Sequence, residues 1–165
     1  MKKIALSITL FVISIHAFAQ SINVEEARSL YVKSAENKDV CKKLYEKLAK
    51  IDEANQNLLL GYKGAVLAEM ARHEKDAPKK LKLFKEGKRK LEQAIINDLE
   101  NVELRFLRLS IQLHTPDVLH YNAQIKSDKQ FIESNLEKLK NEKLKKSIAE
   151  YIAKVNLNSE NSSPK

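Results

Sequence analysis

Tryptophan is absent from this 165-residue chain, cysteine occurs once, and glycine and proline occur three times each. So few turn-formers leave little material for β-hairpins, and no segment alternates apolar and polar residues between Gly or Asn turns. A single cysteine, Cys41, excludes both a disulfide framework and a thiolate metal cluster. No run of 18 or more apolar residues occurs, so no bilayer-spanning segment is expected. A Gly-rich phosphate loop, a nucleophile-elbow pattern and a paired metal motif are all missing. The carboxylates stand among lysines at solvent-face positions, where no acid–base pair tuned for catalysis is discernible. The sequence is therefore read as that of a non-catalytic protein without a cofactor. What is present is 43% hydrophobic and 32% charged residues, enough for one domain with a substantial core.

The first residues have the layout of an export signal. Lys2 and Lys3 precede an apolar run from Ile4 to Ile15, and Ala17-Phe18-Ala19 supplies small residues where a signal peptidase reads. Residues 1–19 are expected to be removed before Gln20, leaving a single α-helical domain over 20–155. A polar, aperiodic tail over 156–165 is expected to be disordered. The mature protein is expected to be soluble, periplasmic or extracellular, without a transmembrane span. The formal net charge of +8 falls to +6 on loss of Lys2 and Lys3, because residues 1–19 hold no acid. In an oxidising compartment Cys41 reads first as a small buried hydrophobe beside Val40 and Leu44, with an intermolecular disulfide or a reactive thiol as alternatives.

Apolar spacing and end signals predict helices nearly throughout. Asn23 followed by Glu26 has the form of a capping box opening a first helix, with Ala27, Leu30, Tyr31 and Ala35 on one face. Asp39 is expected to cap a second, striped by Cys41, Leu44, Tyr45, Leu48 and Ile51. The third, from Leu58 to Ala71, carries Leu59, Tyr62, Val66 and Met70 on one side and Gly61, Gly64 or Ala65, and Ala68 on another. A helix apolar nearly all round is central, and two internal glycines require close approach of a neighbouring backbone. Asp76-Ala77-Pro78 opens a fourth helix reaching about Asn97, whose Gly87 is the natural partner for that small face. A fifth runs from about Val102 to Leu113 and is stopped by Thr115-Pro116. A sixth is marked by Ile125, Ile132, Leu136 and Leu139, and a seventh by Leu144, Ile148, Tyr151, Ile152 and Val155. The fold class is all-α, built from antiparallel hairpins.

Gly87, Leu91 and Ala94 stand at the spacing of the small, bulky apolar and alanine positions in the second helix of a tetratricopeptide repeat. Leu60-Gly61 resembles the Leu-Gly pair of that family's first helix, and the likeness covers about residues 57–112. Gly64 stands where the family favours Tyr, Leu99 where a Pro ends the repeat, and Arg108 where the next repeat has a small residue. The resemblance implies six to seven helices in stacked antiparallel hairpins, with a concave face of the kind that binds extended partners. The segments Glu103–Gln112 and Asp117–Tyr121 are also similar to small secreted bacterial helical proteins, a likeness that transfers no active site.

Two surfaces are candidates for function. Arg105, Arg108 and Gln112 lie at spacings of three and four on the fifth helix, where they can grip a carboxylate of a protein or peptide partner in the cell envelope. The bland alternative is a polar strip, or ion pairs with Glu100, Glu103 or a neighbouring helix. The other is the basic stretch 72–90, with nine Lys or Arg against three acids, in which Lys79, Lys82, Lys85 and Arg89 stand out. It suits a polyanion or an anionic membrane surface, or else is simply a solvated helix face. No aromatic residues interleave these lysines, and an exported protein rarely meets nucleic acid, so none is expected as a partner. His114, Asp117 and His120 are metal-ligand types close in sequence, but the two histidines would not share a helix face and no fourth ligand is identifiable. No metal is assigned.

Overall fold

Capping side chains fix most of the helix ends. In the computed structural model, which describes residues 22–161 with side chains through 157, Asn23 Oδ1 accepts from Glu26 N and opens α1, Val24–Ser34. Helix α2, Lys38–Leu48, is capped by Asn37 rather than Asp39. Asn37 Oδ1 accepts from the amides of Asp39 and Val40, because the helix starts two residues earlier than the apolar stripe alone indicates. Helix α3 is Asn57–His73 and α4 is Ala77–Asn97, with Asp76 capping the Lys79 amide and Pro78 in the first turn. Helix α5, Val102–Gln112, is capped by Asn101. A 3-10 turn at Asp117–Leu119 leads to α6, Ile125–Asn135, and a second at Leu136–Lys138 leads to α7, Glu142–Asn161. The molecule is all-α, with seven α-helices and no strand among the described residues.

The expected tail is corrected in part, since α7 continues through Asn161. Ser and Asn are weak helix formers but not breakers, and nothing between Val155 and Asn161 is Gly or Pro. Residues 162–165 and the expected export signal lie outside the described residues.

Helix α3 is buried almost all round, from Leu59 through Leu67 without interruption. It packs on α1, α2, α4 and α5, and its contact with α4 is the most extensive in the molecule. Glycine makes that contact possible. A Cβ on Gly64 would stand 2.5 Å from Leu91 N and 2.7 Å from the Gly87 carbonyl, and one on Gly87 would stand 2.6 Å from the Gly64 carbonyl. The two backbones touch where neither helix has a side chain. Each glycine costs about 1 kcal/mol of helix propensity against Ala, which the extra packing along the crossing offsets.

Consecutive helices pack on one another from α1 to α6, and α1 on α3 and α3 on α5 as well, so α1, α3 and α5 form a layer. The main core is centred on Tyr62, Val66, Leu91 and Leu104. A second cluster joins Val102 and Leu109 of α5 to Ile132 of α6 and Ile148 and Ile152 of α7. Edge-on ring pairs lie in both, Tyr31 with Tyr62 at 5.6 Å and Phe106 with Tyr151 at 5.3 Å. Cys41 is buried with Sγ 3.7 Å from the Val66 carbonyl, and burial followed by the Glu69 charge pushes its thiol up to about 12. At that value little thiolate forms, so it behaves as a small core residue.

Candidate functional site

The arginine strip of α5 faces inward. Arg108 is 5% exposed and clamps Asp128 of α6, with Nε 2.6 Å from Oδ2 and Nη2 2.7 Å from Oδ1. Its remaining Nη1 donates to Glu92 of α4 at 2.7 Å, and Glu92 also accepts from the Tyr121 hydroxyl at 2.5 Å. Burial alone would lower the Arg108 pKa, but the bonds and charges of Asp128 and Glu92 outweigh it and raise the value. Arg105 donates to Asp128 at 3.2 Å and to the Leu99 carbonyl, and its guanidinium lies 5.1 Å from the Phe131 ring centre. Gln112 is 2% exposed and donates to Gln124 at 3.0 Å. The structure thus brings Arg105 and Arg108 together on one carboxylate and sets Gln112 apart. Of the three residues expected to form an open grip, Arg105 and Arg108 meet a carboxylate supplied from α6 and Gln112 meets Gln124.

Two more ion groups, one buried and one half-buried, stitch other helices together. Arg28 of α1 makes a bidentate contact with Glu103 of α5 at 2.6 Å for both bonds, and Glu103 accepts from Tyr62 Oη at 2.5 Å. Burial and the Glu103 charge raise the Tyr62 pKa well above the phenol range. Between α2 and α3, Glu53 receives Lys63 Nζ at 2.7 Å and Lys90 Nζ at 2.7 and 2.8 Å. Hydrogen bonds from Lys63 and then Lys90 lower the Glu53 pKa to about 2. These acids and bases share helix faces with apolar residues: Lys90 with Leu91 and Ala94, Glu103 with Val102 and Leu107, Asp128 with Ile125 and Ile132. A charged residue on an apolar stripe is the signal that identifies them, since it must meet an opposite charge in the interior.

The other basic positions behave differently. Arg72 pairs with Glu69, Lys90 with Glu53, and Lys88 Nζ lies 4.7 Å over the Tyr121 ring. Lys79, Lys82, Lys85 and Arg89 are all exposed and make no ion pair among the described residues. Phe84, Gly87, Leu91, Ala94 and Ile95 bury the opposite side of α4, so these four cations share its outer face. From Lys79 to Arg89 they extend over about 15 Å of helix. A row of this kind attracts anions by long-range field and offers separate point charges rather than a closed pocket.

His114, Asp117 and His120 do not converge. His114 Nδ1 donates to the Ser110 carbonyl at 2.8 Å, Asp117 accepts from Asn122 at 3.2 Å, and His120 takes a left-handed conformation with φ 47°. Among the described residues no three His, Cys, Asp or Glu side chains could jointly hold a metal ion, and no helix is long and apolar enough to cross a membrane. No family model, curated protein or solved structure matches this chain.

Proposed function

We propose that this is an exported, non-catalytic binding protein that attaches through the outer face of α4 to a phosphate-bearing anionic partner in the cell envelope. The observation that carries the reading is the contrast within the basic residues: Lys79, Lys82, Lys85 and Arg89 stay in solvent and make no ion pair among the described residues, while the buried cations are all paired. Anionic surfaces give about 1 kcal/mol for each basic residue held near them, so four in a row amount to useful affinity. The tetratricopeptide-like stacking of hairpins, supported by the α1–α3 and α3–α5 packing, supplies a stiff body for that face.

The test is binding of the purified protein to vesicles with and without phosphatidylglycerol, and to soluble polyphosphate, across a salt series. Binding to at least one anionic probe is expected, falling steeply with salt as counter-ions are released, and lost in Lys82→Glu/Lys85→Glu/Arg89→Glu. Preference for vesicles over polyphosphate identifies a lipid surface, and the reverse a soluble polymer. No binding at low salt, or binding that salt leaves unchanged, overturns the proposal. For a protein partner, the other reading, the inward-facing arginines of α5 favour an acidic one bound at this same face.

A further inference from the structure

The outer face of α4 carries more than its cations. At about 100° per residue, Lys82, Lys85, Arg89 and Ile96 fall within about 60° of one another around the helix axis. Ile96 is 66% exposed, although it directly follows the buried Ala94 and Ile95. Leu81, 39% exposed, stands at the other end of the row, about 40° to the side of Lys85 and about 22 Å from Ile96 along the helix. Single exposed apolar residues are ordinary on a protein surface, and Val32, Val118 and Leu157 are others here. Ile96 is set apart by standing in line with three cations that make no ion pair among the described residues.

The nearby acids leave this strip positive. Glu92 turns its oxygens to Arg108 and Tyr121. Glu86 is half-buried and lies about 40° beyond Lys82, at the edge of the row. Asp98 and Glu100 are exposed but follow the end of the helix, and they bracket Leu99, so that side chain stays outside the contact. What remains is a strip of three cations with an apolar side chain at each end. A soluble polyanion matches the cations and leaves Ile96 and Leu81 in water. The surface of an anionic bilayer meets both, because a plane of phosphates lies there directly over an apolar layer.

We propose that α4 lies with this face on an anionic phospholipid bilayer, Lys82, Lys85 and Arg89 meeting lipid phosphates while Ile96 and Leu81 enter the headgroup boundary. The proposal rests on the reading of this face as an anion-binding one, and it narrows the partner from any phosphate-bearing molecule to a lipid surface.

The chain has no tryptophan, so Ile96→Trp places a single indole at the point of entry without touching the core. With vesicles of phosphatidylglycerol and phosphatidylcholine, this variant is expected to show blue-shifted emission that brominated acyl chains quench. With soluble polyphosphate its emission is expected to stay unshifted. Ile96→Ser, which keeps the charge, is expected to weaken vesicle binding about tenfold in cosedimentation, the factor that burying one aliphatic side chain contributes. The same variant is expected to bind polyphosphate as the parent does. Vesicle binding with an unshifted, unquenched indole overturns the proposal. So does vesicle binding that Ile96→Ser leaves unchanged, or binding to polyphosphate without binding to vesicles. Each of these three results leaves the anion-binding reading standing. Absence of binding to either probe at low salt overturns that reading, and this proposal with it.

Discussion

Arg108 and Arg89 are the same residue type on adjacent helices and have opposite fates. Arg108 is enclosed by Asp128 and Glu92 between α4, α5 and α6, with every bond to a fixed acid. Arg89 stands in solvent beside other cations and makes no ion pair among the described residues. The difference teaches that charge in this molecule has two uses. Inside, a carboxylate balances each cation group and ties helices that are distant in sequence. Outside, on α4, the same charge accumulates unbalanced. An unpaired charge tolerates exposure because water solvates it, whereas a buried one without its partner costs several kcal/mol.

The largest expected effect tests the interior side of that contrast. Asp128 is fully buried and holds both Arg105 and Arg108. Asp128→Ala leaves Arg105 without its acid and Arg108 with Glu92 alone, and is expected to destabilise the protein by about 3 kcal/mol in denaturant unfolding. A loss below about 1 kcal/mol would mean that the arginines reach water and that the cluster is a surface feature. Glu103→Gln is expected to cost about 2 kcal/mol, less because its partner Arg28 retains some solvent contact, and Tyr62 keeps an acceptor.

Much of this architecture was legible in the sequence. Asn23, Asp76-Ala77-Pro78 and Thr115-Pro116 marked helix ends where the structure has them, because caps and breakers act through the nearest few residues. Gly64 and Gly87 were legible as a pair for a similar reason: glycine inside a helix needs a nearby backbone to explain it. The arginine strip was legible as a strip but not as a buried one. Helical spacing states which residues share a face and is silent about what stands opposite, and Asp128 lies 20 residues beyond Arg108. The acidic position on the α6 apolar stripe was the available signal.

The Glu53 group sits between the two regimes, with a carboxylate 40% exposed and lysines about one-tenth exposed. Its folded pKa, near 2, lies below the ordinary carboxylate value of 4.5. A depressed value means that the folded state binds the proton less readily than the unfolded chain does. The stabilisation is complete above about pH 5 and is lost as the pH falls toward 2. After discounting for solvent screening, it amounts to about 1 kcal/mol. Unfolding midpoints measured from pH 7 to pH 2 are expected to fall, and Glu53→Gln is expected to remove this part of the slope while lowering stability at pH 7. A variant as acid-sensitive as the parent would place the acid response in other carboxylates.

The smallest stability effect belongs to the outer face, and its smallness is the point. Lys82→Glu/Lys85→Glu/Arg89→Glu touches no buried contact and breaks no ion pair among the described residues. Thermal melts are expected to move by no more than about 3 °C, in keeping with substitutions away from packed or bonded features. The new acids gain Lys79 and Lys88 as neighbours and are repelled by Glu86, four residues from position 82 and three from position 89, so the shift is expected to stay within that range at low salt and to vanish as salt screens the helix. A pronounced drop would show that these cations have structural partners, and the division between balanced interior charge and unbalanced outer charge would fail at its exposed end.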